Sequence, residues 1–560
     1  MWKYIAVGIL VLPVSLLSQD KKPWVVKGQW QASLFGYSSD GIGHRREPLR
    51  YQLNFNPRLS KGNWDIPLEL SLYNVGFDSD YQFARFGIHP TWKWGKIHAG
   101  HTNLKVSSFS LNGRTLLGTG LELTPGVLRF TVLWGQTATA ANSPLTNRVQ
   151  PNAFATEMLT VKLGVGNRNH FLDLIYLKGE DQAGTIDSSR LYLDQYPAEN
   201  LVLAARTEHY FFKRKWFVGG EFAGSAYNWN QNSLALAEVT DDLPSIPNWL
   251  LDPTVATQLS TAMEAFVGFR NRKFNTKIQY QKIGAGFRSM GSYFFQDDLE
   301  KIDLSLGFRM LKNKLRVKTS AGFRQNNLSD DKSLKTVRSQ GLLNLYFRPN
   351  AKWNFNGTYS NYQTEQTVKT LGSRDSLRTA LVSSNLNIGA QYNRIGSKKY
   401  NHQFSLRGGM QTAADRYKLE GGMGETQNYL TSLNYRMQTP KKKLELRGGL
   451  EYFGLNSDFQ ESARYGGSVA GLFNLKKNKL QLGIGSRQII SDNQKSADAI
   501  SIMPYVTAGW RANTWKNFTL RLQYNHQEIK NNASPSFNEW QFTARYNHRF
   551  KGKSKKSLPK

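Results

Sequence analysis

The sequence predicts an all-β protein: a single transmembrane antiparallel β-barrel of about 26 strands, with short periplasmic turns and longer extracellular loops. Three observations predict it. Apolar and polar residues alternate along most of the chain, tight basic turns recur between the alternating segments, and an apolar leader opens the sequence. Composition agrees. Hydrophobic residues make up 39% of the 560 and mean hydropathy is −0.51, yet 25 Tyr, 31 Phe and 14 Trp bring aromatics to 12%. A barrel has that balance, because only alternate strand residues face lipid.

The leader comes first. Lys3 precedes an apolar stretch from Ile5 to Leu17, and small Ser18 stands before Gln19. This is the pattern of a secretory signal peptide, residues 1–18, cut near Ser18. The stretch is too short to span a bilayer comfortably, and no later run reaches the ~18 apolar residues a transmembrane helix needs. There are no cysteines, which excludes disulfides, thiolate metal sites and cysteine nucleophiles.

The barrel is expected over residues 19–550. Its repeating unit is clearest at 302–324, where Ile302, Leu304, Leu306, Phe308 and Met310 fall on every second position. The turn Lys312-Asn313-Lys314 follows, and then Leu315, Val317, Thr319, Ala321 and Phe323 alternate with Arg316, Lys318, Ser320, Gly322 and Arg324. Period-2 alternation puts one set on lipid and the other in a polar lumen, whereas a helix would scatter them around its circumference.

Equivalent turns recur in order. They are Lys61-Gly62-Asn63, Lys93 to Lys96, Pro125-Gly126, Gly166 to Asn169, Lys213 to Lys215 and Asn271 to Lys273. After Lys312 to Lys314 come Arg348 to Asn350, Gly396 to Lys399, Pro440 to Lys443, Lys476 to Lys479 and Asn513 to Lys516. With both chain ends periplasmic, these turns imply about 26 strands, an even number in the known range. Residues 96–130 are the hardest stretch to divide. In the last strand Trp540, Phe542, Ala544 and Tyr546 share a face, and the strand closes on Phe550. This resembles the C-terminal signal read by the barrel-assembly machinery, although the basic tail 551–560, expected in the periplasm, follows it here.

Lys and Arg number 73 against 41 Asp and Glu, a formal charge of +32. The basic residues crowd the short turns and the tail, while acids such as Asp241, Asp242, Asp330, Asp331 and Asp458 lie in the long loops. A periplasmic rim more positive than the outer rim follows. The leader and the strand pattern argue against a nucleic-acid partner for this charge.

Within the strands, the alternation points Arg309, Arg316, Lys318, Arg324, Arg407, Arg447, Arg487, Arg521 and Arg545 inward, against fewer inward acids such as Glu69, Asp303, Glu445 and Glu451. Rings of Arg or Lys favour anions in a water-filled pore. The other reading is that they pair with those acids, or with an inserted loop, and hold the wall together.

No chemistry of catalysis is nominated. There is no P-loop, H-E-x-x-H or EF-hand loop, and Gly466 to Ala470 is a near miss for a nucleophile elbow inside a strand. His98 and His101, at odd spacing on a strand, fall on opposite faces and make poor metal ligands. No enzyme, metal or cofactor is expected. The longest loop, about Asn230 to Gln258, carries Leu243-Pro244-Ser245-Ile246-Pro247-Asn248-Trp249-Leu250-Leu251, and its prolines argue against a strand. It either packs over the barrel mouth, constricts the lumen or docks a partner.

Two stretches, Phe86 to Phe130 and Leu345 to Gln366 (LYFRPNAKWNFNGTYSNYQTEQ), resemble large outer-membrane barrels of the Bacteroidota, and the hairpin style matches that group across nearly the whole mature chain. The resemblance implies location and fold. No plug of about a hundred residues precedes the barrel, unlike TonB-dependent transporters, and no periplasmic repeats precede it, unlike an assembly-machinery core. Two functions stand: a porin-like channel for polar or anionic solutes, its lumen occluded by loops or by a protein partner, and a non-transporting barrel subunit of an outer-membrane secretion or biogenesis complex. Outer-membrane lipid, and the barrel-assembly machinery during insertion, are partners under either.

Overall fold

The computed structural model describes residues 24–74, 82–140, 153–186, 195–236, 250–293, 296–368, 377–394, 400–416, 424–439, 443–458, 460–475, 479–493, 498–513, 515–530 and 536–550. The leader, the basic tail and the Leu243 to Trp249 part of the long loop lie outside them. Every strand joins one antiparallel sheet. Of its 27 segments, Gln82–Ile88 and Thr91–Trp92 are two pieces of one strand, so the wall counts 26 strands. The break falls at His89-Pro90. Pro90 has no amide to donate. Instead the His89 amide donates to the Pro67 carbonyl at 3.0 Å, and Pro90 accepts from the Ile97 amide at 2.9 Å.

The sheet closes on itself. The first strand, Val25–Asp40, pairs with the last, Phe537–Phe550, from Gly28 opposite Phe550 to Asp40 opposite Asn538. Trp30 meets Tyr546 edge-on across this seam, ring centres 5.3 Å apart. Closure removes the exposed sheet edge and satisfies every backbone group along the seam, as the bilayer interior demands. Most strands run 11–16 residues, enough to cross a hydrocarbon core that needs about 9–11 residues at a tilt.

The expected hairpin of residues 302–324 is the pair Leu299–Met310 and Leu315–Asn326, with Leu304 opposite Ala321 and Arg309 opposite Arg316. Residues 96–130 resolve into strands Gly95–Lys105 and Asn112–Leu123, followed by the start of Leu128–Ala138. Outward residues are aliphatic in mid-strand, with aromatics clustered beside the short turns: Trp216 with Phe269, Phe274 with Phe308, Trp353 with Tyr392, and Phe404 with Tyr435, all with ring centres about 5 Å apart. Amphipathic rings at this level form the girdle of a membrane barrel.

The largest surprise lies inside. Residues 106–111 and 284–293, each linking two strands, fold against the inner wall. There Val106, Phe109, Leu111 and Phe287 pack with Leu116, Leu133, Met158, Ile175, Leu177, Val202, Ala204 and Ala223 in a dry cluster. The inner face of these strands is apolar or small where the loops sit, and the outer face is exposed and apolar: Leu172, Leu174, Leu203 and Phe222 are half-exposed. A strand apolar on both faces is one covered on both.

Candidate functional site

The loop-packed side is fastened by polar groups aimed at loop backbone. Glu221 is buried, and its two carboxylate oxygens accept the Ser108 and Phe109 amides at 2.9 and 3.0 Å. Asn200, also buried, accepts the Met290 amide at 2.9 Å and donates to the Arg288 carbonyl, which Ser225 reaches at 2.6 Å. The two loops are tied to each other as well. The Asn112 amide donates to Gly291, and Ser289 donates to the Ser110 carbonyl at 2.8 Å. The Phe109 and Phe287 rings meet at 5.9 Å, close to perpendicular. Gly179 makes room for this arrangement: a β-carbon there would stand 2.9 Å from Met290 Cβ and Sδ.

This side also holds most of the paired acids. Asp173 takes a two-pronged bond from Arg129 at 2.7 and 2.9 Å, Glu199 takes Lys178 at 2.9 Å, and Asp303 takes Lys301 at 2.5 Å. Glu122 takes the buried His98 at 2.7 Å, whose other ring nitrogen lies 3.3 Å from His89. His101 instead packs edge-on to the exposed Phe86. Among the described residues no group of three or more His, Cys, Asp and Glu is placed to hold a metal.

The rest of the wall is different. From about Leu334 through the closing strand and into the first strands, the face opposite the exposed aliphatics carries Asn, Gln, Ser, Thr, Gly and Arg. All nine cations singled out from the sequence sit on the inner face by register, Arg309, Arg316, Lys318 and Arg324 on the two strands before Leu334 and the other five beyond it, and they do not form one ring. Arg309 opposes Arg316, which lies over the Tyr346 ring at 5.7 Å, and Lys318 opposes Gly307. Arg324 opposes Lys301 and Arg338. Arg407 opposes Gly389 and Ser432, Arg521 opposes Thr507 and Thr543, and Arg545 opposes Ser33 and Thr519. Arg521 also stacks on Tyr505 at 4.5 Å and bonds Gln523.

Only two of the nine meet a carboxylate among the described residues. Arg447 holds Glu445 at 2.5 Å, and Arg487 holds Glu451 through Nε at 2.8 Å and through Nη2. Glu445 is shared with Arg436 at 2.6 Å, directly opposite Arg447 on the ladder. Arg436 was not among the residues expected, although the alternation Tyr435-Arg436-Met437 before the turn carries the same signal as its neighbours. Also unexpected were Glu221, Asn200 and Ser225, since nothing local marks a strand residue as the fastener of a distant loop. The long loop is anchored where it is described: Asp252 donates its amide to Glu199, Thr254 bonds Asn228, Gln231 bonds the Ala198 carbonyl, and Leu251 is buried. These are contacts at the strand ends.

No protein-family model matches the chain, and no curated protein matches it. Solved structures do. The P pilus usher (PapC) translocation pore is 12% identical over 93% of this chain and 99% of its own, with a TM-score of 0.38. OccAB2 of Acinetobacter baumannii is 12% identical over 64% of this chain and 93% of its own, at 0.31, and OpdK of Pseudomonas aeruginosa, solved with vanillate, is 11% identical over 63% and 93%, at 0.29. Each is a likeness of fold alone, that of a large outer-membrane β-barrel.

Proposed function

We propose that the protein is an outer-membrane channel whose lumen is narrowed to one side by its own loops and which passes polar, preferentially anionic, solutes along the Arg-bearing wall. One observation carries the reading: the inner-face charge is segregated. Between strands Asn401–Asp415 and Lys516–Ile529, Arg407, Arg436, Arg447, Arg464, Arg487 and Arg521 share the inner face with Glu445 and Glu451, while Asp415 at one strand end is bonded to the Ala380 amide. Of the other acids, Glu539 on the closing strand is taken up by Tyr37 and Asn525, Asp65 by Arg58, and Asp173 and Glu199 are paired on the loop-packed side. An uncompensated row of guanidinium groups over polar residues attracts anions in water-filled space.

The loops answer the objection that so wide a barrel would leak. They fill part of the lumen with side chains, so a passage bounded on one side by loop and on the other by polar wall replaces an open hole. The competing reading, a wall and docking subunit without transport, draws on the same loops, but it gives no reason for unpaired cations on the uncovered wall.

The test is single-channel conductance of the purified protein in a planar bilayer, with reversal potentials in a salt gradient. Stable, anion-preferring conductance is expected. Replacing Arg407, Arg521 and Arg545 together with Glu should turn the preference toward cations without unfolding the barrel, since none of the three bonds a carboxylate among the described residues. Folded protein that conducts nothing would remove the channel reading.

A further inference from the structure

The polar wall is not smooth. A recess of about 390 Å³ opens between strands Asn401–Asp415 and Ala499–Asn513, bordered by Arg436, Arg447 and Arg487. That volume falls in the range of about 300–1,000 Å³ typical of small-molecule sites. We infer that this recess binds a small hydroxylated organic acid, a monosaccharide-sized molecule with one carboxylate, on its way through the channel. The inference rests on the channel reading above and gives it a solute class.

The charge comes first. Three guanidinium groups converge here with two carboxylates, Glu445 and Glu451. About one positive charge is left over, which suits a monoanion better than a phosphate dianion. The carboxylates are placed to orient rather than to quench. Glu445 takes Arg436 on one oxygen and Arg447 on the other, and Glu451 takes Arg487 on its Nε–Nη2 edge. Every one of these bonds uses Nε or Nη2, so the Nη1 groups of all three arginines have no protein acceptor among the described residues. A guanidinium fixed on one edge presents the other as a planar fork, the geometry that matches a carboxylate. Arg436, Arg447 and Arg487 are each about half-exposed in the side chain, 41%, 54% and 48%, so the free edges are reachable from the lumen.

The remaining lining suits hydroxyl groups. Gln403, Ser405, Asn434 and Ser468 offer amide and hydroxyl donors and acceptors. Small residues line the hollow, Gly448, Ser468, Ala470 and Ser486 among them, and two glycines beside it leave its side chains room. A β-carbon on Gly449 would come within 2.8 Å of both Asn434 Oδ1 and Ser468 Oγ, and one on Gly485 within 2.7 Å of the Tyr505 ring that lies across it. Tyr505, held on its other side by Arg521 at 4.5 Å, supplies an aromatic wall against which a sugar ring can lie. Guanidinium forks, amides, hydroxyls and one aromatic face within a single recess describe a binding site for a sugar acid, where bulk anion attraction needs only the charges.

The experiment is equilibrium dialysis of labelled glucuronate against the full-length protein in nanodiscs, with glucose as the uncharged competitor, run beside single-channel recording of the same preparation. Saturable glucuronate binding is expected, with glucose about tenfold weaker or worse, the loss that one charge-assisted pair accounts for. The double variant Glu445→Gln/Arg447→Gln, which removes one charge of each sign and leaves Arg436 with a neutral amide acceptor in place of its carboxylate, should weaken glucuronate by about tenfold and leave glucose unchanged. Arg487→Lys keeps the charge beside Glu451 but loses the fork, and should fall between. Arg316→Gln, on the wall far from the recess, should bind as the unaltered protein does. Equal binding of glucuronate and glucose, or a double variant that binds like the parent, would overturn the inference. So would absence of saturable binding in protein that conducts, an outcome that leaves the channel standing. Binding without conductance would instead remove the channel and keep the site.

Discussion

At the scale of single residues, the interior is governed by where buried polar groups find partners. Glu221 is a buried carboxylate whose two oxygens accept the amides of Ser108 and Phe109, next to the Phe109–Phe287 contact. An unpartnered buried donor costs about 1–3 kcal/mol. Glu221→Ala should therefore lower stability by about 2–6 kcal/mol, two amides losing their acceptor, visible as a drop in the thermal unfolding midpoint of detergent-solubilised protein. Glu221→Gln, which keeps one acceptor, should lose about half as much. Equal midpoints for the three proteins would mean that water reaches these amides and the loop is not seated. Phe287 lies fully buried in the same cluster, and truncation of such a ring costs about 3–5 kcal/mol. Phe287→Ala is expected to be comparably severe. Against these stand Arg407, Arg521 and Arg545, whose replacement should leave the midpoint where it is while altering permeation.

At the scale of elements, the loops 106–111 and 284–293 act as one fastened body. Ser289 and Ser110 are 179 residues apart in sequence and 2.8 Å apart in space. That distance explains what the sequence could and could not tell. The strands were legible because each hairpin is local: the alternation of Ile302 to Met310, the Lys312-Asn313-Lys314 turn and the reply from Leu315 to Phe323 fix register within 25 or so residues. The sidedness of Arg447 was legible for the same reason, as was Glu445 two residues away. What covers the inner face of Leu177 or Ala223 was not, because a strand that is apolar on both faces reads in sequence as a less regular strand, and its partner arrives from elsewhere. The clue on the loops themselves was faint: Phe109 and Leu111 among serines, and Phe287 and Met290 between glycines. If the loops are a fixed partition, replacing residues 284–293 with a short Gly-Ser turn should raise conductance and uncover apolar wall, read as increased binding of a hydrophobic dye by folded barrel. Gly179→Val should do part of the same by displacing Met290. Unchanged conductance in both would mean that ions pass elsewhere than beside this partition.

At the scale of the whole molecule, the barrel is a closed cylinder with an uneven interior. Cations without carboxylate partners on one wall, facing acids already paired with their own cations on the other, create a field in the lumen, and on the channel reading the range of that field sets how selective the passage can be. Screening shortens it from about 10 Å at 0.1 M salt to about 3 Å at 1 M. A narrow pore with charge at a tight constriction would keep its preference at high salt, since ions there pass within contact distance of the charge. A wider passage lined by cations along one wall loses it, because ions can travel through the screened centre. The arrangement seen here belongs to the second kind: the guanidinium groups spread over several strands from Arg407 to Arg545, and the opposite boundary is loop backbone and apolar side chains. The anion preference measured from reversal potentials should accordingly be marked near 0.1 M and collapse toward the mobility ratio of the salt near 1 M. The Glu replacement at Arg407, Arg521 and Arg545 should show the mirror image, cation preference at low salt with the same collapse. A preference that persists at 1 M would place the selecting charges at a constriction rather than along the wall, and would point to Arg436, Arg447 and Arg487, three guanidinium groups held together by Glu445 and Glu451.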